Sequence, residues 1–454
     1  MRTAAEFPRF YLRFRYNRAH LEFRFSEALS LTLSQRFEEI QSGFERPFWV
    51  ANFTEIFERL AYYGMSAVLA IYLSEQLHFS SELTGALLGV AGFVVYGLAI
   101  VAGSLADRFG FRRTLMCAYL ILTTGYFLLG SIEASWMAPL RQAIGDKWLV
   151  SMVLLVPALG PGMVKPCVAG TTARASSENV RSLGYSIYYT LVNIGGALGP
   201  LMAWFVRERL HLGMANVFRV SAASVFLMFW VTLFFYREPG RTNNAVESVW
   251  TAFTNIFIVL GNLRYVVFLL ISSGFYIVYW QMWTSVPIFM RRYVDPHAAV
   301  DRILSIEAFT VIACQILVTY LTRKIAAVRT IAIGFLVAAL SWVLLALDPT
   351  MVMLGVLLVL LALGELTQAS RYYEYCSRLA PPEQQGLYMG YAFLPIAIGY
   401  AVAGPLGGYL LRQFGEVLDR PRGMWWVIFA IGLLSATLMW TYGEIVKPSA
   451  ESAP

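Results

Sequence analysis

Charge is scarce in this sequence. Asp, Glu, Lys and Arg make up 14% of the 454 residues, where water-soluble chains carry roughly 25%. With 58% hydrophobic residues, that deficit excludes a soluble globular chain, a disordered one and a secreted one. The net charge of +7 would suggest a polyanion partner in a soluble domain. Here the basic residues stand mostly in loops and in the first 45 residues, where they orient helices rather than bind nucleic acid. Cysteine is also sparse: Cys117, Cys167, Cys314 and Cys376 fall in apolar segments with no close pair, so no disulfide framework is expected. The four histidines, His20, His78, His211 and His297, lie in the tail or in loops. That takes the commonest transition-metal ligand out of the apolar interior, and neither a metal nor a cofactor is expected.

What fills the chain instead is apolar runs of about 20 residues or more, long enough to cross a hydrocarbon core. Bounded by charge, Gly or Pro, they predict helices over 47–73, 83–106, 113–132, 148–172, 183–206 and 216–236, then over 264–290, 300–322, 328–347, 351–377, 385–411 and 423–445. This is an all-α integral membrane chain of twelve spans in two six-helix bundles, 46–236 and 264–446. The joint between them, 237–263, opens with REPGRTNN, a run of turn and breaker residues. Its later part, SVWTAFTNIFIVLGNL, reads as an amphipathic surface helix. Basic residues favour the even-numbered loops and the N-terminal tail, including Arg108, Arg112 and Arg113 after the second span. Both ends are therefore expected on the cytoplasmic side of a cell membrane. Residues 1–45 lack the apolar core of a signal peptide and read as a basic tail, disordered or lying on the surface; 447–454 form a C-terminal tail.

Ionised groups inside a membrane cost on the order of 2.5 to 3.5 kcal/mol each on insertion scales, so each must have a reason to be there. In the first span, NFTEIFERLAYYG places Glu55, Glu58, Arg59, Tyr62 and Tyr63 at helical spacing on one face. Two acids for one base leave a surplus carboxylate, which suits proton carriage; the plainer reading is a packing ion pair of Glu55 with Arg59. The fourth span carries Lys165 deep in LGPGMVKPCVAG, too far from the span's ends for simple snorkelling. Gly160, Pro161, Gly162 and Pro166 are expected to loosen the helix around it. In the tenth span Glu365, Arg371 and Glu374 are intramembrane or close to it, and Arg371 can pair with Glu374 three residues on. Asn193 in the fifth span stands beside Gly195, Gly196 and Gly199, as a binding group or as a packing hydrogen bond. Glu307, in the first turns of the eighth, is either a proton site or an anchor paired with a loop Arg such as Arg302. Charges divided between two halves fit an alternating-access carrier.

At these residues the sequence resembles the proton-dependent oligopeptide transporters of the major facilitator superfamily. The resemblance rests on EIFER followed by YYG at 55–64, GSLADRFG at 103–110, GPGMVKPCV at 160–168, YYTLVNIGGALGP at 188–200, and GEL at 364–366 with Glu374 and LAPPEQQGLYMG at 379–390. It spans residues 44–445. Gly103, Asp107 and Arg108 belong to a structural motif shared across the superfamily. The resemblance implies that Arg59 and Lys165 receive a peptide carboxylate, Glu374 its amino terminus, and that Glu55 and Glu58 couple protons. Tyr62, Tyr63 and Asn193 would line the peptide, with Gln281 in the seventh span. The sequence departs from the family in three places. Trp280 stands before Gln281 where an acid is usual, Ala392 replaces a Trp, and SRYYE replaces the small residues of the tenth span.

The reading is a proton-coupled symporter of di- and tripeptides or peptide-like solutes, monomeric in a lipid bilayer, with no nucleic-acid partner. Glu307 takes the gating role of the missing acid. The alternatives are a carrier of another small anionic solute, favoured by Arg371, and, more remotely, a polytopic membrane enzyme or a non-transporting sensor. An enzyme is disfavoured because no sizeable loop holds an acid cluster and no His lies in the membrane.

Overall fold

The computed structural model describes residues 42–240, 256–381 and 384–446. Within them the chain is helical, with one isolated bridge between Phe44 and Ser176 and no other strand pairing. The main helices are α1 (Arg46–Ile71), α2 (Ser81–Phe109), α3 (Phe111–Leu129), α4 (Asp146–Arg174), α5 (Arg181–Trp204) and α6 (Met214–Phe235) in the first half. The second half holds α7 (Leu263–Tyr279), α8 (Val300–Thr322), α9 (Ala327–Ser341), α10 (Met351–Leu379), α11 (Leu394–Leu410) and α12 (Gly423–Ile445). Local chemistry sets several starts. Ser80 Oγ accepts from Leu83 N at 3.2 Å to open α2, and Thr350 Oγ1 accepts from Met353 N at 3.2 Å to open α10, each satisfying a donor the helix itself leaves unpaired. Pro47 opens α1, where a missing N–H costs nothing.

Eleven of these helices are long and apolar enough to cross a membrane among the described residues. The expected third span, α3, is not one of them. Arg112 and Arg113 at its start depress its hydropathy, although it packs in the bundle beside α4 and α6. Other expectations need correction as well. The predicted continuous helix 264–290 is broken: after α7, short helices Gln281–Thr284 and Val286–Tyr293 carry the column on, with the breaks at Trp280 and Ser285. A similar break follows α9 at Trp342. Conversely α4 runs unbroken through Pro157, Pro161 and Pro166, where loosening was expected. The surface helix expected in the joint lies largely outside the described residues; of it, Ile256–Leu260 is helical.

Packing repeats with a period of six helices. In the first half α1 lies on α5, α2 on α4, and α3 on α6; in the second, α7 lies on α11, α8 on α10, and α9 on α12. The bundles meet through α2 with α11 and α5 with α8, which the same rule exchanges, as expected of two parallel repeats. Along α2 and α11 the backbones nearly touch. A Cβ on Gly85 would lie 2.2 Å from Gly404 O, and one on Gly404 equally close to Gly85 O, so only glycine allows this crossing.

Consecutive helices run in opposite directions, so the molecule has a proximal face, where α1 begins and α12 ends, and a distal face opposite. At the distal face three ion pairs join the bundles: Arg207 with Asp301 at 3.0 Å, Arg291 with Glu75 at 2.9 Å, and Arg412 with Glu82 at 2.8 Å. Arg292 adds a hydrogen bond to Ser81 at 2.9 Å while pairing with Glu416. On the proximal face the superfamily-type motif ends at Gly110, whose φ of +86° suits glycine alone. The Glu238 carboxylate then accepts from Phe111 N at 2.7 Å and Arg112 N at 2.8 Å, capping α3 with a charge that favours a helix N-terminus. Gly103 and Asp107 lie in the last turns of α2, and Arg108 lies over the Phe109 ring.

Candidate functional site

On α1 the predicted face is real and buried. Glu55, Glu58 and Arg59 expose at most 1% of their surface. Arg59 Nε lies 2.5 Å from Glu58 Oε2 and 3.4 Å from Glu55 Oε1. Both Glu55 oxygens, Glu58 Oε1 and Arg59 Nη2 have no hydrogen-bond partner. A packing ion pair would satisfy its members, since a buried unpaired acceptor costs about 1–3 kcal/mol or more. This cluster is instead left able to accept and donate further bonds. The guanidinium stands 5.3 Å from the Tyr62 ring centroid. Tyr62 lines one small cavity together with Tyr400 of α11, and Tyr63 packs 5.5 Å from Trp283, so both tyrosines reach the opposite bundle. Gly195 and Gly199 bring α5 against α1: a Cβ on Gly195 would sit 2.5 Å from Ile56 O.

Lys165, on α4, forms no ion pair among the described residues. Its ammonium lies 5.1 Å from the Tyr96 ring and 6.0 Å from Phe393, an aromatic cap that holds a cation without neutralising it. It stands in the electrostatic field of Glu55, Glu58 and Arg59 on one side and of Glu365 on the other. Glu365, on α10, was noted in the sequence but given no role there. It lies close enough to Glu307 of α8 for each acid to feel the other's charge, and Tyr279 Oη donates to Glu307 Oε1 at 3.1 Å. Glu307 is 7% exposed, and the anchor reading fails. Arg302 lies over the Trp204 ring, while the acid at the start of α8 that pairs with a loop arginine is Asp301, with Arg207. The signal that Glu365 mattered was its position mid-helix in GEL, with no base three or four residues away.

Other predicted residues are engaged elsewhere. Gln281, fully buried, donates to Ala403 O at 3.0 Å and Ile277 O at 3.2 Å and accepts from Ser285 Oγ at 2.5 Å. It fastens α11 to the broken column after α7 and spends both amide hydrogens there. Glu374 is held at 2.7 Å by Arg371 and at 2.6 Å by Arg378, one oxygen each. Arg371 also donates to Thr322 O at the end of α8. This doubly paired carboxylate has no charge to offer an amine in this arrangement. Asn193 Nδ2 donates to Tyr189 O on its own helix at 2.9 Å, the packing alternative. Trp280, at the place of the missing acid, packs at a tilt with its ring 4.3 Å from Tyr400 and 5.5 Å from Tyr96. Tyr372 Oη donates to Ala392 O at 2.7 Å, filling the space beside the small residue.

A two-bundle helical fold with buried charges of both signs between its halves defines a membrane transporter. The Major Facilitator Superfamily model matches residues 52–299 and 296–454, and the chain belongs to that superfamily. Among curated relatives it is 23% identical over 399 residues to Multidrug resistance protein MdtH of Photorhabdus laumondii, covering 87% of this chain and 93% of the relative. The MdtH of Yersinia enterocolitica is likewise 23% identical over 400 residues, with the same coverage. Among solved structures, a POT family transporter in complex with 5-aminolevulinic acid superposes with a TM-score of 0.72 at 18% identity, over 88% of this chain and 97% of that one. A peptide transporter POT in complex with sulfate gives 0.71 at 19% identity, over 88% and 94%. The likeness to peptide transporters read from the motifs thus extends to the fold.

Proposed function

We propose that this chain is a proton-coupled carrier of small peptide-like solutes, working by alternating access as a monomer in the cell membrane with both ends cytoplasmic. The observation that carries the reading is the opposition of charge across the bundle interface. Lys165 and Arg59 face the centre from the N-terminal bundle, and Glu365 and Glu307 face it from the C-terminal one. A solute carboxylate binds Lys165 and the unsatisfied side of Arg59. By taking up that positive charge it leaves Glu58 or Glu55 without its base, so a proton enters with the solute. Tyr62 and Tyr63 wall the space. Glu374, already paired, is not given the amine; Glu365 and Glu307 are.

A second reading, export of drug-like cations, is favoured by the aromatic density around the acids, Tyr63, Tyr279, Trp280 and Trp283, and by the printed names of the curated relatives. Proteoliposomes separate the two. Uptake of a labelled dipeptide, driven by a proton gradient of the same direction and competed by unlabelled di- and tripeptides, is the expected result. Dipeptide-independent movement of an organic cation against the proton gradient would replace the first reading by the second.

A further inference from the structure

Past Leu410 the chain leaves α11 by a detour. Residues Leu411–Val417 continue as wider π-type turns, a form that is rare and recurs at functional sites. Asp419 then takes a φ of +51°, a left-handed conformation uncommon outside glycine. Backbone bonds fix the turn into α12: Arg420 N donates to Phe414 O at 2.7 Å and Gly423 N to Arg420 O at 2.9 Å. Between this turn and α12 lies a cavity of about 820 Å³, within the size range of small-molecule sites. One wall is a single face of α12, with Gly423, Trp426, Val427 and Ala430 at i, i+3, i+4 and i+7. Phe414 and Leu418 form the other. Met424, Trp425 and Ile428 are the fully buried side of α12, whereas Trp426 is 44% and Leu418 49% exposed, so the groove opens toward lipid.

Its mouth carries charge. Glu416, in the same turn, pairs with Arg292 at 2.8 Å, which sets the mouth level with the distal ion pairs. Ala430 lies about 10 Å deeper along α12 at 1.5 Å per residue. Of the arginines in this stretch, Arg412 pairs with Glu82 at 2.8 Å, and Arg422 Nη1 donates to Leu347 O at 3.1 Å. Arg420 lines the groove, is exposed, and forms no ion pair among the described residues. A free guanidinium at the membrane surface above an apolar groove matches a molecule with an anion at its top and a hydrocarbon chain beneath.

We infer that this groove holds one phospholipid of the distal leaflet, its phosphate on Arg420 and one acyl chain against Trp426, Val427 and Ala430. A guanidinium and a phosphate form paired, charge-assisted hydrogen bonds, and indole rings favour this depth of a bilayer. The chain gains nothing by leaving the bulk lipid, which is equally apolar. Retention comes instead from the close contacts of a concave wall and from the phosphate. Asp419, next in the chain and also exposed, keeps the local charge low, so the phosphate matters more than the headgroup's net charge. The site goes beyond the proposed transport and requires no particular solute.

The test is native mass spectrometry of the purified full-length protein in mild detergent, titrated with phosphatidylglycerol, phosphatidylethanolamine or dioleoylglycerol, which lacks the phosphate. Wild type is expected to retain one molecule of either phospholipid and none of the diacylglycerol. Arg420→Gln should weaken phospholipid retention about tenfold, the factor for one lost hydrogen bond to a charged group. Ala430→Trp, which fills the groove and keeps the arginine, should remove the bound lipid whatever its headgroup. Both positions are exposed, and unchanged melting in detergent confirms that the variants fold. No phospholipid retained by wild type, diacylglycerol retained as well as phospholipid, or retention unchanged in both variants would each overturn the inference. None of these residues touches the charged centre, so loss of the lipid leaves the carrier reading intact, and failure of dipeptide transport leaves the lipid site intact.

Discussion

At the centre of the N-terminal bundle α1 carries Glu55, Glu58 and Arg59; in the equivalent column of the C-terminal bundle, where α7 ends and the next short helix begins, the chain carries Tyr279, Trp280 and Gln281. The first trio has unsatisfied atoms on all three residues, whereas Gln281 spends both amide hydrogens and the two aromatics are packed. The second bundle instead sets its acids on α8 and α10, close enough to feel each other's charge. A repeat thus conserves which helices touch without conserving which helix bears charge. One half sets its acids against a base, the other sets acid beside acid.

The sharpest way to break that contrast is to remove the cations on the first side. Lys165→Ala should abolish uptake of carboxylate-bearing solutes. Arg59→Ala should do the same and also strand two buried acids, costing about 3–5 kcal/mol. Melting in detergent checks the fold and proteoliposome uptake the function; normal dipeptide transport by folded Lys165→Ala would remove the carboxylate assignment. Next in size, Glu58→Gln should lose uphill, gradient-driven uptake yet keep exchange of labelled for unlabelled solute, because exchange moves no net proton. Wild-type accumulation in that variant would transfer coupling to Glu55. Substituting the bundle contact should cost less: Gly85→Ala forces a carbonyl away and should destabilise by about 1–3 kcal/mol, read as a lowered melting temperature. The smallest effect belongs to Arg371→Ala. Arg378 still holds Glu374, and a partly exposed pair contributes about 0–1 kcal/mol, so the affinities for free and N-blocked dipeptides should keep their ratio. A large shift in that ratio would return Glu374 to the binding site.

How much of this could be read in advance follows from the range of each interaction. The α1 cluster was legible because its members lie within two turns of one helix, and helical spacing puts them on one face. Lys165 was legible because a lone base deep in an apolar span has few innocent explanations. The partnership of Glu307 with Glu365 was not, since it joins residues 58 positions apart on separate helices, and nothing in either segment names the other. Gln281 poses the same difficulty: its partners, Ala403 and Ser285, decide how much of its amide is available. The breaks at Trp280 and Ser285 also escaped notice, because an unbroken apolar run does not reveal where the backbone turns aside. The six-helix repeat in packing has no counterpart in the residues chosen at its centre, so the charge asymmetry had to be seen rather than inferred.

The Gly85 and Gly404 crossing lies close to the distal end of a long helix. From Gly85 to Phe109, α2 runs on for about 36 Å at 1.5 Å per residue, while only a single turn extends the other way. Such a crossing is a fulcrum set near one end of a beam. A tilt of about 10° between the bundles would move the proximal tips by about 6 Å and the distal tips by little over 1 Å, by the same helical rise. Spectroscopic distance rulers placed at the proximal ends of α2 and α11 should therefore register the transport cycle as a wide swing. Rulers beside Glu82 and Arg412 should register hardly any, until the ion pairs there let go.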